Sequence, residues 1–305
     1  MNAIARTTAA ASALLLGLAA CTPAQILNST ILERGLTITR DVPYGTLPRE
    51  TLDIYRPVHA AADLPVVIFF YGGSWNSGSK QIYPFLAATL ARTGAVVVVP
   101  DYRLYPQVTY PAFLQDCARA TAWVLAHPQQ TGAIGPHAGR LFLMGHSAGA
   151  YNALMLGLDP AWLHAAGADP ATIAGVIGLA GPYDFLPITD PEVKPIFPDA
   201  GPDTQPITYA SAAAPPLLLL TGNDDQQVRP RNTAALAAAV NAAGGHAEVK
   251  TYKGLGHIGL VTAIAPPFQW RAPVLHDIVT FLRRTPSPAR HAMPKPGTIP
   301  NGSRF

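Results

Sequence analysis

The chain has 305 residues, 49% hydrophobic and 13% charged, with 31 prolines and 26 glycines. That composition is too apolar for a disordered protein and suits one sizeable globular domain punctuated by loops. The net charge of +3 comes from scattered Lys and Arg without a basic run, which leaves no electrostatic footprint for nucleic acid.

In chain order, MNAIARTTAAASALLLGLAAC comes first. Arg6 precedes an apolar stretch too short to span a bilayer as a stable helix, so residues 1–20 read as a signal peptide. The run Leu18-Ala19-Ala20-Cys21 is similar to the bacterial lipobox. That resemblance implies lipidation of Cys21 and a protein anchored in the cell envelope, at the outer membrane or the periplasmic face of the inner one. Thr22 in place of Asp favours the outer membrane. The plain alternative is an ordinary signal peptide that happens to end near a cysteine. The chain has two cysteines, so a lipidated Cys21 leaves Cys117 without a disulfide partner. Cys117 reads as a small buried residue on a helix, not as a nucleophile. No Cys and His cluster has metal-ligand spacing.

Residues 21–43 read as a tether with a short N-terminal segment, and 44–284 as the folded domain. TLDIYRP alternates and ends in proline, as an edge strand does. LPVVIFF, AVVVVPDYRL, RLFLMG, IAGVIGLAG and LLLLTG are short apolar runs, the pattern of strands covered on both faces. AEVKTYKG is one more strand. Helical patterns lie between them in YPFLAATLARTG, PAFLQDCARATAWVLAHP, HSAGAYNALMLGL and RNTAALAAAVNAAG, and APVLHDIVTFLRR closes the domain. Strands alternating with helices of this length predict an α/β fold with a mostly parallel sheet. The proline-rich excursion 182–216 is long for a plain connection and suits a small cap. Residues 285–305 read as a disordered tail.

Sites in such sheets form where the carboxyl ends of strands meet the following loops. Gly145-His146-Ser147-Ala148-Gly149 fits G-x-S-x-G between a strand and a helix. The serine of that motif sits in a strained turn that flanking side chains would obstruct, which makes Ser147 the candidate nucleophile. The N–H of Ala148 then lies at a helix N-terminus, where negative charge is favoured. A serine hydroxyl needs a base. Among nine histidines, His257 follows the last strand in a mobile glycine-rich loop. His246 precedes that strand, His276 falls in the final helix, His291 in the tail, and His146 points inward beside Ser147. The orienting acid belongs after LLLLTG, where Asp224 and Asp225 are both available; Asp184 in GPYDF is a rival. In VVIFFYGGSWNSGSK, Gly72 and Gly73 follow a buried strand and leave its amides open to close approach.

From about Tyr44 to Arg284 these segments resemble an α/β-hydrolase. The similarity is to the esterase branch of carboxylesterases, hormone-sensitive-lipase-related and feruloyl-esterase-like proteins, and kynurenine formamidases. Relatives carry G-x-x-D-x-x-V at the acid, and Gly222 and Val228 frame that pattern around Asp225. The same resemblance implies that the loop after FFYGGSW supplies oxyanion donors from Gly73 and Ser74, with Gly72 as a further candidate, joining Ala148. Trp75 matches the family's tryptophan and is expected to brace that loop. Tyr71 departs from the family's His. Asp101 and Arg103, in DYRL, are expected to tie loops together.

The expected function is hydrolysis of small or short-acyl carboxylic esters through an acyl-enzyme on Ser147, with His257 as base and Asp225 as its acid, and with no cofactor or metal. An arylformamidase or amidase with the same triad is the second reading. A non-catalytic envelope lipoprotein that keeps the fold for binding is the third. The expected partners are a small-molecule ester and, through the lipid anchor, a membrane. The sequence does not set the oligomeric state.

Overall fold

In the computed structural model, residues 27–29, 31, 33–59, 64–131 and 140–287 are described. The expected signal peptide, Cys21, His291 and most of the expected tail lie outside them. The strands in chain order are Leu36–Pro43 (β1), Thr51–Pro57 (β2), Val66–Phe70 (β3), Val96–Pro100 (β4), Leu141–His146 (β5), Ile173–Leu179 (β6), Leu217–Gly222 (β7) and Ala247–Tyr252 (β8). The α-helices are Pro84–Arg92 (α1), Ala112–Ala126 (α2), Pro128–Thr131 (α3), Ala148–Leu158 (α4), Pro160–Ala165 (α5), Arg231–Ala242 (α6), His257–Thr262 (α7) and Val274–Arg284 (α8).

Strands β3 to β7 are buried along their whole length, because helices cover both faces and leave no solvent side for polar alternation. The sheet order is β1-β2-β4-β3-β5-β6-β7-β8. Pairs from β4 to β8 run parallel, whereas β1 and β2 are antiparallel to their neighbours. This is the predicted α/β architecture. Helix α4 carries no charged residue and is buried nearly all round, as a helix must be when it packs under the centre of a sheet. Helix α8 instead buries one stripe, Val274, Ile278, Phe281 and Leu282, at helical spacing.

Two expectations are corrected at the N-terminal edge. Leu36–Pro43 lies in the segment expected to be a tether, yet it pairs with β2, so TLDIYRP is an inner strand. The pairing shifts register between Thr39 and Val42, and β1 exposes much of its surface, so its apolar alternation is broken. The buried Lys80 fixes this edge: its ammonium reaches Asp53 at 2.6 Å and also Asp41. The excursion 182–216 holds short 3-10 turns and packs Phe197 against Trp75 and Tyr151.

Candidate active site

Strand β5 runs straight into α4 through Ser147, whose φ of 55° and ψ of −124° place a non-glycine residue in a sparsely populated region. Such a conformation costs on the order of 1–3 kcal/mol and persists only where the surroundings enforce it. Here the Ser147 N–H donates to Leu179 O at 2.9 Å. A Cβ on Gly145 would run into the Gly149 carbonyl, and one on Gly149 into the Phe70 carbonyl. The motif's glycines are therefore where β5, α4 and the end of β3 touch backbone to backbone.

Ser147, His257 and Asp225 come together at the carboxyl ends of β5, β7 and β8. The Ser147 hydroxyl donates to His257 Nε2 at 2.8 Å, and His257 Nδ1–H donates to Asp225 Oδ2 at 2.8 Å. The other oxygen of Asp225 accepts from the amides of Gln227 at 3.0 Å and Val228 at 2.9 Å. That leaves the carboxylate fully engaged and 2% exposed. Asp224 is exposed, and its amide is bonded to Leu255 O. Asp184 is outside the constellation, 3.9 Å from Arg231 at the surface. His246 lies at the start of β8, where its carbonyl accepts from Leu217, so it is at the opposite end of the sheet. His276 is within α8.

The histidine does not sit in a mobile loop as expected. It is the first residue of α7, and the connection before it is stitched to the acid loop by Gly254 N–H to Asn223 Oδ1 at 2.8 Å. His146 points inward, as its place beside the serine requires, and has a role that sequence reading missed. Its Nε2–H donates to the carbonyl of His257 at 3.2 Å, and the two rings lie 4.8 Å apart. Burial, and next the neighbouring His257 ring, push the His146 pKa down to about 3. The ring is therefore neutral near neutral pH, and it places no cation beside the candidate base.

The loop after β3 approaches this elbow. A side chain at Gly72 would meet Ser147 Cβ and His146 O, each at 2.9 Å. Gly73, Ser74 and Trp75 all have positive φ, at 129°, 48° and 56°, which curls the chain into a tight turn closed by Asn76 and Ser77 amides on Gly73 O. Ser74 and Ala148 face the same cavity as Ser147. As the first residue of α4, Ala148 has an N–H without an intrahelical acceptor.

Tyr71 holds this loop in place of a histidine. Its hydroxyl accepts from Arg49 at 2.7 Å, and its ring stacks on Tyr102 at 4.6 Å. Tyr102 in turn donates to the Tyr71 carbonyl at 2.7 Å. Asp101 accepts from the Lys80 amide at 2.8 Å, and Asp116 receives both the amide and the guanidinium of Arg103. These contacts are the loop ties expected of the DYRL segment. Trp75 is buried edge-on to Tyr151 and Phe197, with its Nε1–H donating to Asn152 at 3.0 Å. Asn152 went unnoticed in the sequence, although an amide in an otherwise apolar helix is a signal that something buried needs an acceptor. Cys117 lies behind Asn152, fully buried, and desolvation holds its thiol well above its usual pKa, which suits the structural role expected of it.

Above Ser147 lies a cavity of about 500 Å³. Its lining combines the apolar Phe185, Leu186, Ile188 and Val193 with the polar Gln226, Gln227, Arg229 and Arg231. Among the described residues, no group of three His, Cys, Asp or Glu is placed to hold a metal ion.

Comparison with known proteins points the same way. The BD-FAE family model matches residues 52–240. Kynurenine formamidase from Danio rerio is 37% identical over 159 residues, 51% of this chain and 51% of that protein. Isoprenylcysteine alpha-carbonyl methylesterase from Arabidopsis thaliana is 32% identical over 157 residues, 50% of this chain and 36% of that protein. The chain thus spans about half the length of the first of these relatives and less of the second. Esterase B from Lactobacillus rhamnosis superposes with a TM-score of 0.71 at 18% identity, covering 90% of this chain and 96% of that one. At that identity the likeness is one of fold, the α/β-hydrolase fold.

Proposed function

Because this chain belongs to the BD-FAE family, we propose that it is a serine hydrolase that cleaves small or short-acyl carboxylic esters through an acyl-enzyme. The observation that carries this reading is the unbroken hydrogen-bond relay from Ser147 Oγ through His257 to Asp225, 2.8 Å at each step.

Attack by Ser147 Oγ on the acyl carbon passes its proton to His257 Nε2. The tetrahedral oxygen then gains negative charge between the Ala148 amide and the Gly73–Ser74 turn. Preorganised donors of this kind are each worth about 3 kcal/mol of transition-state stabilisation. As the bond to the alcohol oxygen breaks, the imidazolium returns the proton to that oxygen and the alcohol leaves. Water repeats the sequence: its proton goes to His257, its oxygen bonds the acyl carbon, and Ser147 recovers its hydrogen as the acid departs. Throughout, Asp225 stays a carboxylate and holds His257 with its proton on Nδ1.

The test is hydrolysis of 4-nitrophenyl acetate, butyrate, octanoate and palmitate by protein lacking residues 1–21, with Ser147→Ala alongside. Turnover of the short esters that disappears in the variant is the expected result, and an optimum at palmitate would sink the short-acyl reading. The kynurenine formamidase relative favours a second reading, amide-bond cleavage in an arylformamide by the same triad. An arylformamide included as a fifth substrate decides between them. For the N-terminus, the run Leu18-Ala19-Ala20-Cys21 supports lipidation of Cys21 and an envelope location. Cys21→Ser is expected to move the protein out of the membrane fraction, and unchanged fractionation would count against the anchor.

A further inference from the structure

The lining of the cavity is of two kinds, apolar and cationic. In the segment that follows Asp225, Arg229 and Arg231 both line the cavity that holds Ser147, and both are exposed. Among the described residues Arg229 has no acidic side chain within ion-pair distance. Arg231 has one loose neighbour, Asp184 at 3.9 Å, and the two side chains are 63% and 40% exposed. A pair that open to solvent is weakly held, so the guanidinium remains available. Asp190 also lines the cavity, and with Asp184 beside Arg231 the mouth holds two carboxylates, neither of them within ion-pair distance of Arg229. Gln226 and Gln227, in the same segment as the arginines, add neutral donors to the lining.

Resting on the hydrolase reading above, we propose that the site selects small esters that carry a carboxylate away from the scissile bond. Arg229 and Arg231 engage that carboxylate while the apolar part of the substrate lies against Phe185, Leu186 and Ile188. The chemistry fits the parts. A guanidinium presents a planar fork of N–H donors that matches a carboxylate and keeps its charge at any working pH. Cations at the mouth of a cleft with an apolar wall raise the local concentration of an anionic substrate and steer it inward. A neutral ester of equal size gains only the apolar contact.

The experiment compares matched esters on the full-length chain. Mono-4-nitrophenyl glutarate is set against 4-nitrophenyl butyrate, and 4-acetoxybenzoate against its methyl ester, each corrected for its rate of alkaline hydrolysis. At low salt the anionic member of each pair is expected to have a kcat/KM about fivefold higher, carried mainly by KM, with the advantage shrinking as salt screens the charges. The ratio of anionic to neutral kcat/KM should fall towards one in R229Q/R231Q and below one in R229E/R231E. R229K/R231K should keep part of it. Equal turnover of the paired esters, or a ratio that the glutamine variant does not move, would overturn the proposal and leave the hydrolase reading intact. Failure to hydrolyse any of the four esters would overturn both.

Discussion

Two regions meet at the cavity that holds Ser147, and they are built differently. The inner one, residues 70–75 and 145–149, makes the site largely from backbone: touching main chains and positive-φ turns. The outer one, residues 182–193 and 226–231, makes the cavity mostly from side chains, many of them open to solvent. Reaction geometry tolerates displacements of a few tenths of an ångström at most, so it is carried by elements the core cannot release. Selection among substrates needs side chains that change without disturbing that geometry, so it sits on the rim.

The sharpest way to break this contrast is within the acid loop, where one aspartate belongs to the inner region and its neighbour does not. Asp225→Asn is expected to lower kcat about 10⁴-fold, because the His257 ring loses the partner that fixes its tautomer. Asp224→Asn, on an exposed side chain, should stay within about twofold. Steady-state kinetics on a short ester checks both, and equal losses would mean the loop acts as a whole. Next in size is Gly72→Ala. Its methyl would meet Ser147 Cβ and His146 O at 2.9 Å, so the elbow must shift. A displacement of about 1 Å costs roughly 10²-fold in rate. We expect that loss in kcat with the protein still folded by circular dichroism.

The inner region was largely legible in the sequence, and the reason is steric. Gly145 and Gly149 occupy fixed offsets because strand, helix and the end of β3 touch there, and any such contact leaves its mark in the spacing of glycines. Asp225 was harder. A polar turn offers two equivalent aspartates, and only the framing by Gly222 and Val228 in the family pattern separated them. In the fold, burial and two backbone amides do so. Strand β1 was missed because a bulge breaks its alternation. Asn152 and His146 were missed as working residues because each acts through a partner distant in sequence, Trp75 and His257. Arg229 and Arg231 carried no signal, since an exposed arginine in a loop and another at the first position of a helix have no spacing to read.

A smaller effect tests how tightly the inner region is sealed. His146 is neutral in the fold, with its pKa pushed down to about 3 from an ordinary value of 6.5. The unfolded chain therefore binds one more proton than the native one between those values. Stability from this residue is complete above pH 6.5 and is lost as the pH falls towards 3. The slope is about 1.4 kcal/mol per pH unit. His146→Gln keeps a donor for the His257 carbonyl and does not titrate. Urea unfolding at pH 6, 5 and 4 should show the wild type losing stability faster than the variant by about that slope. Parallel curves would mean that water reaches the ring and that the inner region is not closed.

The smallest expected effect lies on the rim, and its smallness is the point. Arg231→Ala removes one half of an exposed ion pair at 3.9 Å. Exposed pairs of this geometry contribute about 0–1 kcal/mol, and surface substitutions stay within about 0.5 kcal/mol. The urea midpoint should hardly move. If the outer region selects substrate by charge, the same substitution changes the ratio of anionic to neutral ester turnover while stability stays put, a separation that no residue of the elbow can give. A loss of several kcal/mol would show that the rim is tied into the core through Asp184 and α6. The division between a rigid catalytic backbone and a freely variable mouth would then fail at this point.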